Sequence, residues 1–374
     1  MTKTTANEID RQPTDLSIEG KGATLPPCEV AWFAALCDDD AEQLGVIDPN
    51  LLSSIEHCST IVAAAENGGF DSILLPAGYI LGIDAITFAA AISQRTARIR
   101  LLVAVRMGEM WIPQLARQLA TIQHLCGGRL AINIISSDLP GQSLDSEPRY
   151  QRTLDSMSAL RTLLDGHTLA ASHGTVAIDA DLAPPRIAVA ASPCPPLYFG
   201  GLSDHAREVA AQQADVYLMW PDTIDRVAAL VADLRGRAKQ YGRTLRFGYR
   251  VHVIVRDTEP MARQAANHLV AALDDRVGEA RRSQSLDSQS VGVNRQAQLR
   301  ADASDDGYVE ANLWTGIGRG RSGCGAAIVG SAAQVVDKIN AYRRLGIDCF
   351  IFSGYPHLQE CERFARCVLP DLRA

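Results

Sequence analysis

The chain has 374 residues, 47% hydrophobic, 21% charged and 6% aromatic, the profile of a globular protein with ample core material. Lys and Arg number 36 against 43 Asp and Glu, a formal net charge of −7, which argues against a nucleic-acid surface or an anionic membrane as partner. No apolar run approaches the ~18 residues of a membrane span, Met1 to Gly22 contain no signal-like apolar stretch, and the nine Cys lack any Cys-x-x-Cys pair that would suggest disulfides or a zinc site; the expectation is a soluble, cytoplasmic enzyme.

Residues 1–27 read as a flexible tail, rich in Thr, Asp and Pro and without periodicity. From there β-type runs alternate with helical ones. The expected strands are Glu29–Phe33, Asp71–Leu75, Ile99–Val105, Arg129–Ile135, Leu197–Phe199, Asp215–Met219, Leu245–Val255 and Cys349–Ser353. The expected helices are Leu51–Asn67, Ala85–Gln94, Pro113–Leu125, Tyr150–Leu164, Ser203–Gln213, Asp222–Tyr241 and Ala332–Leu345. Gly68-Gly69 and Gly127-Gly128 supply C-terminal stop signals. Eight strands separated by helices point to a parallel α/β sheet, and the count fits closure into a (β/α)8 barrel with insertions; an open doubly wound sheet is the alternative. No Gly-x-Gly-x-x-Gly turn follows the first strand, which weakens a dinucleotide-binding reading. Asp165–Pro195 and the polar, then Gly-rich Asp274–Gly325 read as excursions, the second as a lid, within a single domain spanning 28–374.

In such a barrel, function sits at the C-terminal ends of the strands. Strand four ends in Ser136, Ser137 and Asp138. Strand five ends in Gly200, Gly201, Leu202 and Ser203 and runs into a helix, where free backbone N–H groups form an anion cradle or Ser203 simply caps the helix. On strand seven, alternation places Gly248, Arg250 and His252 on one face and Val251 and Val253 on the other, turning Arg250 and His252 toward the barrel axis. A buried guanidinium costs several kcal/mol unless an anion or strong acceptor meets it; an internal Asp or Glu is the structural alternative. Tyr355 stands at the mouth beyond strand eight, as a site or an interfacial core residue. Gly316–Gly325 carries Arg319 and Arg321 and reads as a closing loop without P-loop spacing. Asp38-Asp39-Asp40 reads as a solvated acidic loop rather than a metal cluster, and no metal is expected. Arg106 and Glu109 either line the pocket or pair with each other. Cys37 and Cys324 have no adjacent base in sequence that would make either a nucleophile.

Five segments in one order carry a specific resemblance: PLYFGGLSD at 196–204, DVYLMW at 215–220, RFGYRVHVIVR at 246–256, NLWTGIG at 312–318 and SGYPHLQE at 353–360. Together, from about Trp32 to Pro370, the chain resembles the alkanesulfonate monooxygenases of the bacterial luciferase-like superfamily. The resemblance implies a (β/α)8 barrel that takes FMN as FMNH2 from a separate NAD(P)H:flavin reductase and uses O2 to convert a sulfonate into sulfite and an aldehyde. It implies a homodimer or homotetramer. Arg250, His252, Arg321 and Tyr355 match that family's catalytic set, with Arg250, Arg321 and Trp220 toward substrate. Tyr150 and Ser203 match positions near the flavin phosphate, and Ser136, Ser137, Ala104 and Gly201 join them as cofactor-binding expectations. Arg250 would gain its missing anion. Two loops depart from the family pattern: 34–40 replaces a His- and Gly-rich loop, and 79–84 lacks a Cys. Both border the substrate side, so the substrate need not be a simple alkanesulfonate. Oxygenation of a non-sulfonate substrate, including Baeyer–Villiger or C/N oxidation, flavin binding without turnover, and deazaflavin use stand as alternatives.

Overall fold

The structure, a computed structural model, describes residues 25–78, 82–186, 193–274, 276, 290–321 and 323–373. Residues 1–24 of the expected tail, 79–81 of the second altered loop, 187–192 of the first excursion, and 275, 277–289 and 322 of the expected lid lie outside the described residues.

Eight parallel strands close into a ring: β1 Glu29–Phe33, β2 Ser72–Leu75, β3 Arg100–Arg106, β4 Leu130–Ile135, β5 Leu197–Phe199, β6 Val216–Met219, β7 Arg246–Val255 and, last in the chain, β11 Cys349–Ser353. β11 pairs with β7 on one side and β1 on the other, which completes the closure. This is the (β/α)8 barrel expected, and strand bounds differ by at most a residue at either end. Helices α1 Ile55–Asn67, α2 Ala85–Ser93, α3 Ile112–Leu125, α4 Ser146–Leu164, α5 Asp204–Gln213 and α6 Ile224–Gln240 follow strands one to six. Four later helices, α7 Glu259–Val270, α8 Val291–Ala301, α9 Ala332–Arg344 and α10 His357–Cys367, surround β7 to β11, and α11 Leu369–Arg373 ends the chain.

Period-two alternation sorts each strand's side chains into two cores. Val30, Trp32, Leu101, Val103, Ile132, Tyr249, Val251 and Phe352 face outward into the layer shared with the helices. Ala31, Phe33, Leu74, Leu102, Ala131, Tyr198, Val216 and Ile351 fill the barrel interior. The start signals are those of the sequence: Ser54, Asp84, Ser203, Thr258 and Ser331 each accept a hydrogen bond from a first-turn amide.

The insertion is more structured than its composition suggests. Strands β8 Tyr308–Glu310, β9 Leu313–Trp314 and β10 Ala327–Gly330 add to the sheet, β10 in parallel with residues 252–255 of β7. β6 pairs with 246–249 of β7, and β10 takes the same edge higher up. The length of β7 is thus explained: its upper half needs a partner that the short β6 cannot supply. Among the described residues no helix is long and apolar enough to cross a membrane.

Phe352 is fully buried and stacks between Phe350 and Phe364, with ring centroids 5.7 and 4.7 Å away. Phe352→Ala is expected to destabilise the fold by about 3–5 kcal/mol in chemical denaturation; a cost below about 1 kcal/mol would show that this layer is not packed as described.

Candidate active site

At the C-terminal end of the barrel the strand ends enclose an open cavity of about 370 Å³. Its lining includes Arg106, Ser136, Tyr150, Gly201, Ser203, Trp220, Arg250, His252 and Arg321. Ala104 and Ser137 are not among the lining residues, though Ala104 pairs across the sheet with Asn133 and Ser137 accepts from Arg106, both of which are, and Tyr355 touches Arg321 and His252.

Arg250 is 5% exposed. One guanidinium nitrogen donates to the Val251 carbonyl (3.1 Å) and another to Ser353 Oγ (2.9 Å), and the group lies over the Phe33 ring, 4.6 Å from its centroid. No carboxylate pairs with it among the described residues. Burial, and to a lesser degree the nearby Arg321, pulls its pKa down from the usual arginine value. The register explains Ser353: it stands directly beside His252 across β7 and β11, on the same inward face. Ser353 Oγ is 2.6 Å from His252 Nδ1. Oγ accepts from Arg250 and has a second lone pair and one hydrogen, so it donates to Nδ1 in one imidazole tautomer and accepts from it in the other. Nε2 is buried and has no partner. Burial first, then Arg250, Arg321 and His357, hold the His252 pKa well below the ordinary histidine value, so the ring is neutral at pH 7.

Arg321, from the insertion, donates to the Tyr355 hydroxyl oxygen and to Asp38 Oδ2 at 3.2 Å. Tyr355 stacks on His252 with centroids 5.7 Å apart. The four residues expected as a catalytic set are therefore neighbours. Trp220 ends β6 and is covered by the insertion: a Cβ on Gly292 or Gly323 would come within 3.1 Å of its indole, and Gly323 has φ +94°. Arg106 both lines the cavity and pairs with Glu109 (3.4 Å), while donating to Ser137 Oγ (3.1 Å) and the Gly78 carbonyl (2.9 Å). The Ser137 hydroxyl is thereby engaged within the protein. Burial raises the Cys37 thiol to about 11, so it is protonated at neutral pH.

The opposite wall is a cradle. Gly201 has φ +148°, and a Cβ there would sit 2.7 Å from that of Ala206. Ser203 Oγ caps α5 by accepting from the Ala206 amide (3.2 Å), so the cap and the cavity wall are one residue. The Tyr150 hydroxyl, on the same wall, has no protein partner among the described residues. A helix start, a glycine turn and an unpaired phenol suit a phosphate, and this set fits the phosphate end of a flavin nucleotide.

One expectation is corrected. In Asp38-Asp39-Asp40, Asp39 is exposed and Asp38 partly so, as in a solvated loop, but Asp40 is not. Asp40 is fully buried and accepts from the backbone amide and Nδ1 of His357 (both 2.8 Å), from the Ala41 amide (2.9 Å), and lies 3.0 Å from His57 Nε2. Burial raises its pKa, but the His357 charge and the donated hydrogen bonds outweigh that and the net direction is down. Asp39 accepts from the Ser53 amide (2.8 Å). Sequence reading missed this knot because its partner lies more than 300 positions away. It missed Ser353 too, although the inward alternation Cys349, Ile351, Ser353 pointed to it.

A closed (β/α)8 barrel with a cationic cavity beside a phosphate cradle is the architecture of an enzyme that works on an anionic or phosphate-bearing molecule. The family model of luciferase-like monooxygenases matches residues 30–349. The chain is 56% identical over 352 residues to a sulfoquinovose monooxygenase of Novosphingobium aromaticivorans, covering 92% of this chain and 97% of the relative. It is 47% identical over 351 residues to a sulfoquinovose monooxygenase of Agrobacterium fabrum, covering 94% and 91%. Among solved structures, a riboflavin lyase with modified FMN and riboflavin shares the fold at a TM-score of 0.75 and 16% identity, covering 93% and 92%. The chain belongs to the luciferase-like monooxygenase family and is a flavin-dependent monooxygenase.

Asp40→Asn places an amide N–H₂ against donors that all need an acceptor. The expected result is a loss of about 2–4 kcal/mol of stability in urea unfolding; a variant as stable as the parent would mean the knot does not hold the His357 loop.

Proposed function

We propose that this chain is the oxygenase of a two-component, FMNH2-dependent system that desulfonates an organosulfonate, with sulfoquinovose, a sugar bearing a C–SO3⁻ group, as the substrate. A separate NAD(P)H:flavin reductase would deliver the reduced flavin. The observation that carries the reading is Arg250: a buried guanidinium, lining the cavity, with no carboxylate partner among the described residues. The two relatives named for sulfoquinovose support the substrate assignment.

Tyr150, Gly201 and Ser203 would hold the flavin phosphate, and Ser136, with Ala104 and Ser137, would border the rest of the cofactor. When bound, reduced flavin supplies the two electrons with which O2 is split between the carbon that loses sulfite and a molecule of water. Arg250 would bind the sulfonate by charge-assisted hydrogen bonds, which are strongest where water is excluded. Phe33 and Ser353 keep the guanidinium in place before the ligand arrives. Arg321 would close the far side, and Trp220 would form the wall between them. His252 is neutral and its Nε2 is unpartnered, so in the tautomer that takes the Ser353 hydrogen at Nδ1 it would hold a proton at Nε2 for a reacting oxygen. The Tyr355 oxygen already accepts from Arg321, so its own hydrogen is free to donate. The insertion that carries Arg321 would exclude water from the cavity.

Incubation with FMN, a flavin reductase, NADH and sulfoquinovose is expected to release sulfite, and Arg250→Ala to lower kcat/KM by about 100-fold or more while flavin still binds. No sulfite from sulfoquinovose or any other sulfonate, with normal flavin binding, would refute desulfonation. A near-normal rate in Arg250→Ala would refute the role given to that residue.

A further inference from the structure

We propose that Asp38 is a specificity-determining residue: its carboxylate accepts hydrogen bonds from the hydroxyls of a polyhydroxylated sulfonate anchored on Arg250, and so selects a sugar sulfonate over a bare alkanesulfonate. The inference rests on the desulfonation reading above and deepens it.

Among the described lining residues the charged groups are Arg106, Arg250, Arg321 and a single carboxylate, Asp38. Its side chain is 42% exposed. Oδ2 meets Arg321 Nη1 at 3.2 Å, and no donor is recorded for Oδ1 among the described residues. One oxygen is therefore committed to the insertion and the other remains available to a guest. An anion receptor gains nothing from a carboxylate on its wall, because that charge repels the sulfonate. The arrangement makes sense when the rest of the guest is a hydrogen-bond donor. A hydroxyl is such a donor, and a charged acceptor binds it more strongly than a neutral one.

The position is fixed as well as polar. The next residue, Asp39, holds the Ser53 amide, and Asp40 holds the amide and ring of His357. Two successive anchors pin the loop, so the Asp38 carboxylate is presented in place. An alkyl chain in the same space would strip water from Oδ1 and return no hydrogen bond, which penalises it. Arg321, lying between Asp38 and Tyr355, offsets the carboxylate charge and lets a second anion be tolerated nearby.

The rival role is a simple latch, in which the Asp38–Arg321 pair only holds the insertion closed. A latch serves every substrate alike. The test measures FMN binding and reductase-coupled sulfite release in the parent, Asp38→Ala and Asp38→Asn enzymes. Sulfoquinovose is the substrate, and hexane-1-sulfonate is scored both as substrate and as competitive inhibitor. In Asp38→Ala, kcat/KM for sulfoquinovose is expected to fall about 10- to 100-fold, chiefly through KM, the loss of one hydrogen bond to a charged acceptor. The preference for the sugar over the alkyl sulfonate should shrink by a similar factor. Asp38→Asn, which keeps an acceptor oxygen and the side-chain shape, should fall between, and it carries the test if Asp38→Ala does not bind FMN. Equal losses on both sulfonates, or none on sulfoquinovose, would overturn the proposal. A parent enzyme that releases no sulfite from either compound would overturn the desulfonation reading instead.

Discussion

The arrangement depends on one unbalanced charge. Arg250 is held inside the barrel by a hydroxyl, a carbonyl and an aromatic face, none of which carries a full negative charge. A lone buried guanidinium costs several kcal/mol relative to a paired one. The fold sustains it through β7 and β11, whose register sets Ser353 beside His252 and within reach of Arg250. The same serine lies 2.6 Å from His252 Nδ1, so one hydroxyl touches both the guanidinium and the imidazole. Arg321 differs: Asp38 and Tyr355 already meet it. Two arginines on the same cavity thus serve different ends, one waiting for a ligand and one tying the insertion to the barrel.

In the proposed function the cavity divides into a cofactor side and a guest side. Tyr150, Gly201 and Ser203 belong to the strand-four and strand-five end, where helix starts and glycine turns leave donors open. Arg250, His252, Tyr355 and Arg321 belong to β7, β11 and the insertion. The loop after β1, one of the two that depart from the alkanesulfonate monooxygenase pattern, would join the guest side. A family can keep one cofactor wall and change its substrate by rewriting that loop, because beyond Ala34, whose amide donates to the Leu74 carbonyl, the loop lies outside the hydrogen-bonded ring of strands.

Much of this was legible in the sequence because it is local. Strand seven alternates strictly, so Arg250 and His252 pointed inward before any coordinates, and the Ser203 cap follows from a hydroxyl ahead of a helical run. The strands β8, β9 and β10 were not legible. They are two to four residues long and lie in Gly- and Ser-rich surroundings where periodicity has no room to show. They exist because the upper edge of β7 needs partners. Asp40 escaped for a different reason: three consecutive aspartates suggest solvent, and only the return of the chain at His357 supplies the donors that bury one of them.

The most direct test of the central claim is the thermal stability of Arg250→Met, with and without a sulfonate ligand. Methionine keeps much of the arginine volume and removes the uncompensated charge. The prediction is a variant at least as stable as the parent without ligand, whose Tm still rises with flavin but rises no further when sulfoquinovose is added to the flavin-bound protein. A variant that melts well below the parent, yet is still stabilised by the sulfonate, would show that Arg250 is a structural residue and that the anion binds elsewhere.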